Sequence, residues 1–168
     1  MTIFTIGYEG TILDAFIETL REGGVETVVD VRAVAVSRRR GFSKTALSTR
    51  VRAEGMEYVH LRDLGDPKPG REAARAGRWR EFESIYAAHL RTAEAQLALA
   101  ILGRLMANSS VALLCYEADA AGCHRTMIAR DVAKPGKSRI VNLVVNNQVA
   151  SVGQSRAHDH LGESLAAA

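Results

Sequence analysis

Short apolar runs alternate along the chain with stretches whose apolar positions recur every three or four residues, and this alternation predicts the elements. Residues 2–6 (Thr-Ile-Phe-Thr-Ile) are β-branched or aromatic and stop at Gly7, as a short strand before a turn does. After Gly10, Thr11 is placed to cap a helix with Ile12, Leu13, Phe16, Ile17 and Leu20 on one face, ended by Gly23-Gly24. Val25–Val31 is a second strand that closes on Asp30 and Arg32. Residues 33–42 show neither period and predict a loop. Ser43 then opens a helix through Leu47 and Val51 to about Glu54, with Gly55 as its C-cap. Met56–Leu61 is a third strand, and the Pro- and Gly-rich segment 63–70 a binding loop.

From Arg78 to Met106, Trp79, Phe82, Tyr86, Leu90, Leu97, Ile101 and Leu105 fall at helical spacing, in one helix or two broken near Thr92, with Trp79, Phe82 and Tyr86 as a core stripe. Val111–Cys115 is a buried strand, 116–122 a loop, and Cys123–Ala133 a helix stopped by Pro135-Gly136. Ile140–Val145 supplies the last strand. Strands alternating with helices imply a single α/β domain over 1–148, Rossmann-like and three-layered, its mostly parallel sheet flanked by helices. A polar tail over 149–168 is expected to be frayed. In such sheets ligands sit outside the carboxyl ends of the strands. That rule selects Gly7–Gly10, Asp30–Arg32 with the following loop, Arg62–Asp66, and Cys115–Arg125.

Composition narrows the class. The chain has 168 residues, 47% hydrophobic and 24% charged, too apolar for a disordered segment, and no apolar run approaches the roughly 20 residues that span a bilayer. Met1–Gly7 reads straight into a strand without a basic leader, and two cysteines make no exported disulfide framework, so a cytoplasmic location with reduced thiols is expected. The net charge of +3 is small, but its distribution is uneven. Between Val31 and Arg52 stand Arg32, Arg38, Arg39, Arg40, Lys44, Arg50 and Arg52 with no acidic residue. Such a segment draws phosphate-bearing ligands, or is a solvated basic face.

The densest chemistry lies in Cys115-Tyr-Glu117 through Cys123-His124-Arg125, where two thiols, an imidazole, carboxylates and a guanidinium share one strand-to-helix loop. A helix starting near Cys123 aims its N–H groups at that loop, which stabilises anions and lowers a thiol pKa. Cys115 or Cys123 is then a candidate nucleophile, with Arg125 on a phosphate or sulfate oxyanion and Glu117 or Asp119 as acid; buried structural cysteine is the plainer reading. Metal binding is not expected, because the C-x7-C-H spacing is not that of a finger or ribbon and adjacent Cys and His side chains seldom face one ion. Cysteine phosphatase and rhodanese loops offer an analogy, but Cys115 stands ten positions before Arg125, too far for the phosphatase loop.

At the other strand ends, Tyr8 can stack on a base, Glu9 and Asp30 are acid/base candidates, and Asp30 is also a partner for Arg32. Arg38 to Arg40 with Ser43 and Lys44 at a helix start form a candidate phosphate nest.

Thr5-Ile-Gly-Tyr-Glu-Gly10, Val29-Asp-Val-Arg32, Ser37-Arg38 with Gly41-Phe-Ser-Lys44, Tyr58-Val-His-Leu61, Leu64-Gly65 and Cys115-Tyr-Glu117 with Cys123-His-Arg125 together resemble the DUF488 family of small bacterial and archaeal proteins, over most of residues 2–134. The resemblance implies a cytosolic α/β protein with no assigned activity, and its motifs fall on the strand ends already selected. The expected function is an enzyme or enzyme-like domain acting on a phosphate-bearing ligand, a nucleotide or nucleic acid. Arg32, Arg38, Arg39, Lys44 and Arg125 would bind phosphate, Tyr8 would stack, and Glu9, Asp30, Glu117 and His124 are the acid/base candidates. The alternatives are cysteine-dependent phosphatase or sulfurtransferase chemistry at Cys115 or Cys123, and a non-catalytic nucleic-acid-binding module. The sequence names no cofactor and no oligomeric state.

Overall fold

The structure, a computed structural model, describes residues 1–133 and 136–147. Five strands, β1 (Thr2–Gly7), β2 (Thr27–Asp30), β3 (Glu57–His60), β4 (Val111–Cys115) and β5 (Arg139–Leu143), form one sheet in the order β3-β2-β4-β1-β5. Every pairing is parallel. The two-residue period of a strand divides the side chains between two cores. Ile6, Val28, Ala112 and Leu114 point to one face, covered by Phe16, Ile17 and Leu20 of α1 (Leu13–Glu22) and by Leu47 and Val51 of α2 (Lys44–Ala53). Ile3, Val29, Val111 and Leu113 point to the other, covered by α3 (Lys68–Arg75), α4 (Trp79–Leu90), α5 (Ala93–Asn108) and α6 (His124–Val132). The three-layer α/β architecture expected from the alternation is therefore present. The tail over 149–168 and the expected stop at Pro135 lie outside the described residues.

Three local expectations are corrected. The segment read as a loop over 63–70 contains a one-turn 3-10 helix, Arg62–Leu64, and the start of α3. Proline misleads here because Pro69 sits in the first turn of α3, where a backbone N–H has no intrahelical partner to lose. Trp79, read as core, is 50% exposed, while Phe82 and Tyr86 are buried as expected. On α5 the buried face runs through Ala95, Ala98, Leu99, Leu102 and Met106, and Leu97 and Ile101 point outward. The two small alanines lie on that face. The helical stretch breaks where expected, with Thr92 Oγ1 accepting from Ala95 N at 3.3 Å as the N-cap of α5.

The order of the strands places β4 between β2 and β1. Chain continues from β1 and β2 to the α1/α2 face but from β4 to α6 on the opposite face, so the loops after these neighbouring strands part. Ligand crevices in open α/β sheets form at such a divergence.

Candidate functional site

Position is set first by backbone. The loop after β4 folds over the end of β1, where the N–H groups of Tyr8 and Glu9 both donate to Tyr116 O, at 3.1 and 2.8 Å. Gly7 permits this approach, because a Cβ there would lie 1.7 Å from the carbonyl oxygen of Glu117. From α6, Arg125 reaches back and donates to the carbonyls of Glu117 (2.5 Å) and Ala118 (3.1 Å) and to Thr5 Oγ1 (3.3 Å). The Glu9 carboxylate accepts from Ala118 N at 3.1 Å, and Thr126 Oγ1 donates to Ala120 O at 2.6 Å.

The loop so fixed brings four reactive side chains together. Cys115, odd-numbered in β4 like Val111 and Leu113, projects to the α3–α6 face. Its Sγ and that of Cys123 both donate to Glu117 Oε2, at 2.8 and 3.1 Å. His124 Nδ1 lies 3.6 Å from Cys115 Sγ and 3.9 Å from Cys123 Sγ. The other ring nitrogen, Nε2, is 3.0 Å from Val31 O, and the ring edge meets Tyr86 with centroids 5.4 Å apart. Cys123 and His124 do not face apart as their adjacency led us to expect. Cys123, the N-cap of α6, is extended (φ −116°, ψ 140°), and the change to helical backbone at His124 turns both side chains to one side.

Charge at this cluster follows from burial and contact. Burial pushes the Cys115 and Cys123 thiols upward, so the lowering expected from the α6 N-terminus is not what this environment delivers. Burial alone would also raise Glu117, but the two thiol hydrogen bonds and the neighbouring imidazole outweigh it and hold its carboxyl low. For His124 burial would lower the pKa, yet the hydrogen bond and charge of Cys123, with the Asp66 charge, lift it to about 9. Asp66 is raised by its own burial.

A second buried polar cluster forms on the opposite face of the sheet. Asp30 is fully buried and accepts from Arg32 Nε (2.8 Å), from its terminal nitrogen (2.5 Å), from Arg32 N (3.0 Å) and from the Tyr58 hydroxyl. Arg32 donates from its other terminal nitrogen, Nη1, to Tyr8 Oη (3.0 Å) and Phe42 O (2.8 Å). Desolvation opposes the Arg32 charge, but its bonds to Asp30 prevail and raise its pKa. Tyr8 is itself buried, stacked on Phe42 at 4.5 Å between centroids and edge-on to Tyr116 at 5.3 Å.

Between the two clusters opens a cleft of about 700 Å³. Cys115, Glu117 and His124 lie on its floor, and Arg38, Arg39, Lys68, Arg71 and Arg75 on its walls, against Asp66 and Glu72. Arg39 donates to Thr11 O, while its Nε is buried with no partner among the described residues.

Of the residues singled out from the sequence, Tyr8, Arg32, Arg38, Arg39, Cys115, Glu117 and His124 line this cleft. Glu9, Asp30, Lys44, Cys123 and Arg125 do not: Glu9 and Arg125 hold the loop, Asp30 holds Arg32, Cys123 lies behind the floor, and Lys44 is exposed at the start of α2. Arg125 therefore donates to two loop carbonyls and to Thr5 Oγ1 rather than to an oxyanion, and Tyr8 has Phe42 and Arg32 against its ring. The Ser43 side chain makes no cap bond to α2; its hydroxyl donates to Ser37 O at 3.1 Å. His60 and His89 each meet a backbone carbonyl, of Arg32 at 2.9 Å and of Asp63 at 2.8 Å. The sequence does not single out Lys68, Arg71, Glu72 and Arg75, on a helix whose first residues read as loop, nor Tyr116, 43% exposed beside Cys115 and Glu117. A basic side chain every three to four residues across 68–75 is the signal that shows α3 presenting one charged face.

No curated protein and no solved structure matches the chain. The profile of the family described as "Domain of unknown function DUF488" matches residues 12–132 of the 168, a span that takes in α1 through α6 and, apart from Tyr8, both buried clusters, and the chain belongs to that family.

Proposed function

We propose that this protein is an enzyme acting on a phosphate-bearing ligand, a nucleotide or a segment of nucleic acid, bound in the cleft at the carboxyl edge of the sheet. The observation that carries this reading is the juxtaposition of cationic walls with a buried cluster of thiol, carboxylate and imidazole on one cleft floor. Arg38 and Arg75 are exposed and placed to take phosphate oxygens, as is Lys68 beside Glu72 at 3.9 Å, and Arg39 Nε, without a partner among the described residues, is a donor that an anion would satisfy. Tyr116, exposed at the rim, takes the stacking role first considered for Tyr8. Glu117 reaches the cleft from the floor and is the group placed to touch the ligand. A cysteine nucleophile gains less support, since both thiols are buried, held protonated and bonded to Glu117.

The test pairs binding with turnover. Titration with ATP and with short single-stranded RNA over a series of salt concentrations should show binding that weakens as salt rises, and Arg38→Ala or Arg75→Ala should each lower the salt slope by about one. Product analysis should find a ligand altered by the wild-type chain and left intact by Glu117→Gln at unchanged affinity. Binding with no turnover, indifferent to Glu117→Gln, would instead make the chain a nucleic-acid-binding module.

A further inference from the structure

The floor cluster is poorly explained as packing. Two thiols, a carboxylate and an imidazole occupy a place where a core would need only apolar volume, and their four ligand atoms lie within 4.8 Å of one another. Zinc bound at about 2.3 Å to sulfur and about 2.0–2.1 Å to nitrogen or oxygen, in a tetrahedron, requires S···N and S···O edges of about 3.6 Å. The two S···N separations are 3.6 and 3.9 Å. The S···O separations are 2.8 and 3.1 Å, shorter as hydrogen bonds require, so the carboxylate has to draw back from the sulfurs by about half an ångström or somewhat more.

The far nitrogen of the imidazole is placed as in a ligand. Its Nε2 meets Val31 O at 3.0 Å, so a neutral ring donates there and leaves the lone pair on Nδ1; Cys115 Sγ stands 3.6 Å from Nδ1 and 3.9 Å from Nε2, so the ring has to turn to bring that lone pair onto a shared ion. Metal-bound histidines are oriented in this way, the far N–H given to a carbonyl or carboxylate. The donors come from two rigid anchors, the end of the central strand β4 and the first turn of α6, with Arg125 clamping the loop between them. Two soft sulfurs with one imidazole select a zinc-class ion over magnesium or calcium, which take oxygen.

We infer that Cys115, Cys123 and His124 hold a zinc-class divalent cation, with Glu117 as the fourth donor on the side open to the cleft. On binding, each Cys–S–H bond is exchanged for a sulfur–metal bond, and one proton per thiol leaves to solvent, joined by the Nδ1 proton where the imidazole is charged. No electron is transferred. The three donors other than Glu117 fix the ion, and the Glu117 position, facing the cleft, is the one a ligand oxygen can take. This deepens the enzymatic reading by naming what its floor offers a phosphate, but the geometry does not depend on an anion binding above.

Cobalt(II) titration of the full chain, reduced and stripped with a chelator, tests the site, because cobalt accepts tetrahedral zinc sites and reports its ligands by colour. The expected result is a thiolate-to-cobalt charge-transfer band in the near ultraviolet with tetrahedral d–d bands in the visible, saturating at one ion per chain and abolished by zinc. The chain has two cysteines, Cys115 and Cys123, so the band can arise from no other residue, and histidines elsewhere do not produce it. Zinc should also raise the melting temperature, as binding to the native state requires. A chain whose two thiols are shown to be free yet yields no band overturns the inference, as does zinc that lowers the melting temperature by favouring the unfolded chain. Cys123→Ser should lose one thiolate's share of the band; should that variant fail to fold, the wild-type spectrum still decides. Loss of ATP or RNA binding with the cobalt band intact would refute the anion-cleft reading alone.

Discussion

Replacing Asp30 by asparagine keeps the shape of the side chain and removes its charge. The Arg32 guanidinium, 5% exposed, then has no counter-ion, while the charge-assisted bonds from Nε, from the terminal nitrogen and from Tyr58 become bonds to a neutral amide or are lost. Breaking a buried pair by removing one partner costs about 3–5 kcal/mol, because the other charge stays desolvated. At about 2–4 °C per kcal/mol for a chain of this size, Asp30→Asn should lower the melting temperature by about 6–20 °C. Urea unfolding followed by far-ultraviolet circular dichroism measures the change, with an unchanged m-value showing that the denatured state is the same. The double variant Asp30→Asn/Arg32→Met discriminates causes: it removes the stranded cation, and its loss should fall short of the sum of the single losses by more than about 0.5 kcal/mol. Additive single losses, or a cost below about 1 kcal/mol for Asp30→Asn, would refute the view that this pair carries a structural charge balance.

Other perturbations probe the frame of the site. Gly7→Ala places a methyl 1.7 Å from the Glu117 carbonyl oxygen, so it should cost about 1–3 kcal/mol by denaturant unfolding and displace the loop, read as a change in the chemical shifts of Glu117 and Ala118. Arg125→Lys cannot bridge the Glu117 and Ala118 carbonyls together and should destabilise by about 1.5–3 kcal/mol; unaltered stability with weakened ATP binding would return Arg125 to the phosphate. In the metal-free reduced chain, burial raises both thiols, and His124 is lifted to about 9 chiefly by Cys123 against the opposing effect of burial. His124 holds a proton in the fold that the unfolded chain releases, so its stabilisation is complete below about pH 6.5 and is lost as pH rises through 9, while the thiols add their own loss only above about pH 8.5. Melting temperatures across that range should fall, and fall less once zinc is bound.

The strands were legible because their apolar runs are short and bounded by glycine or polar turns, and the rule about carboxyl ends then led to loops that line the cleft. Legibility failed where side-chain surroundings decided the outcome. Nothing in Leu97 and Ile101 distinguishes them from Leu99 and Leu102; the buried face is the one that also carries the small Ala95 and Ala98. Tyr8 and Arg125 looked available because their types bind bases and phosphates, yet long-range partners had already claimed them: Phe42 and Arg32 for the first, loop carbonyls for the second. Tyr58 passed as an ordinary strand residue, since its bond to Asp30 exists only once β2 and β3 lie side by side. The shared orientation of Cys123 and His124 depends on one change of backbone conformation, which residue spacing does not encode.

The loop after β4 is fastened almost wholly through its own main chain: Tyr116 O takes two N–H groups, Arg125 takes the next two carbonyls, Glu9 takes Ala118 N and Thr126 takes Ala120 O. Its path is thus largely indifferent to which side chains it carries. Substitution at Tyr116 is free to alter what the cleft recognises while leaving the framework in register, whereas Asp119, whose Oδ1 accepts from Ala121 N at 2.9 Å, belongs to the framework. The fold in this way separates the residues that hold the rim from those that give it specificity, and the rim becomes the natural place to diversify ligand choice on a constant scaffold.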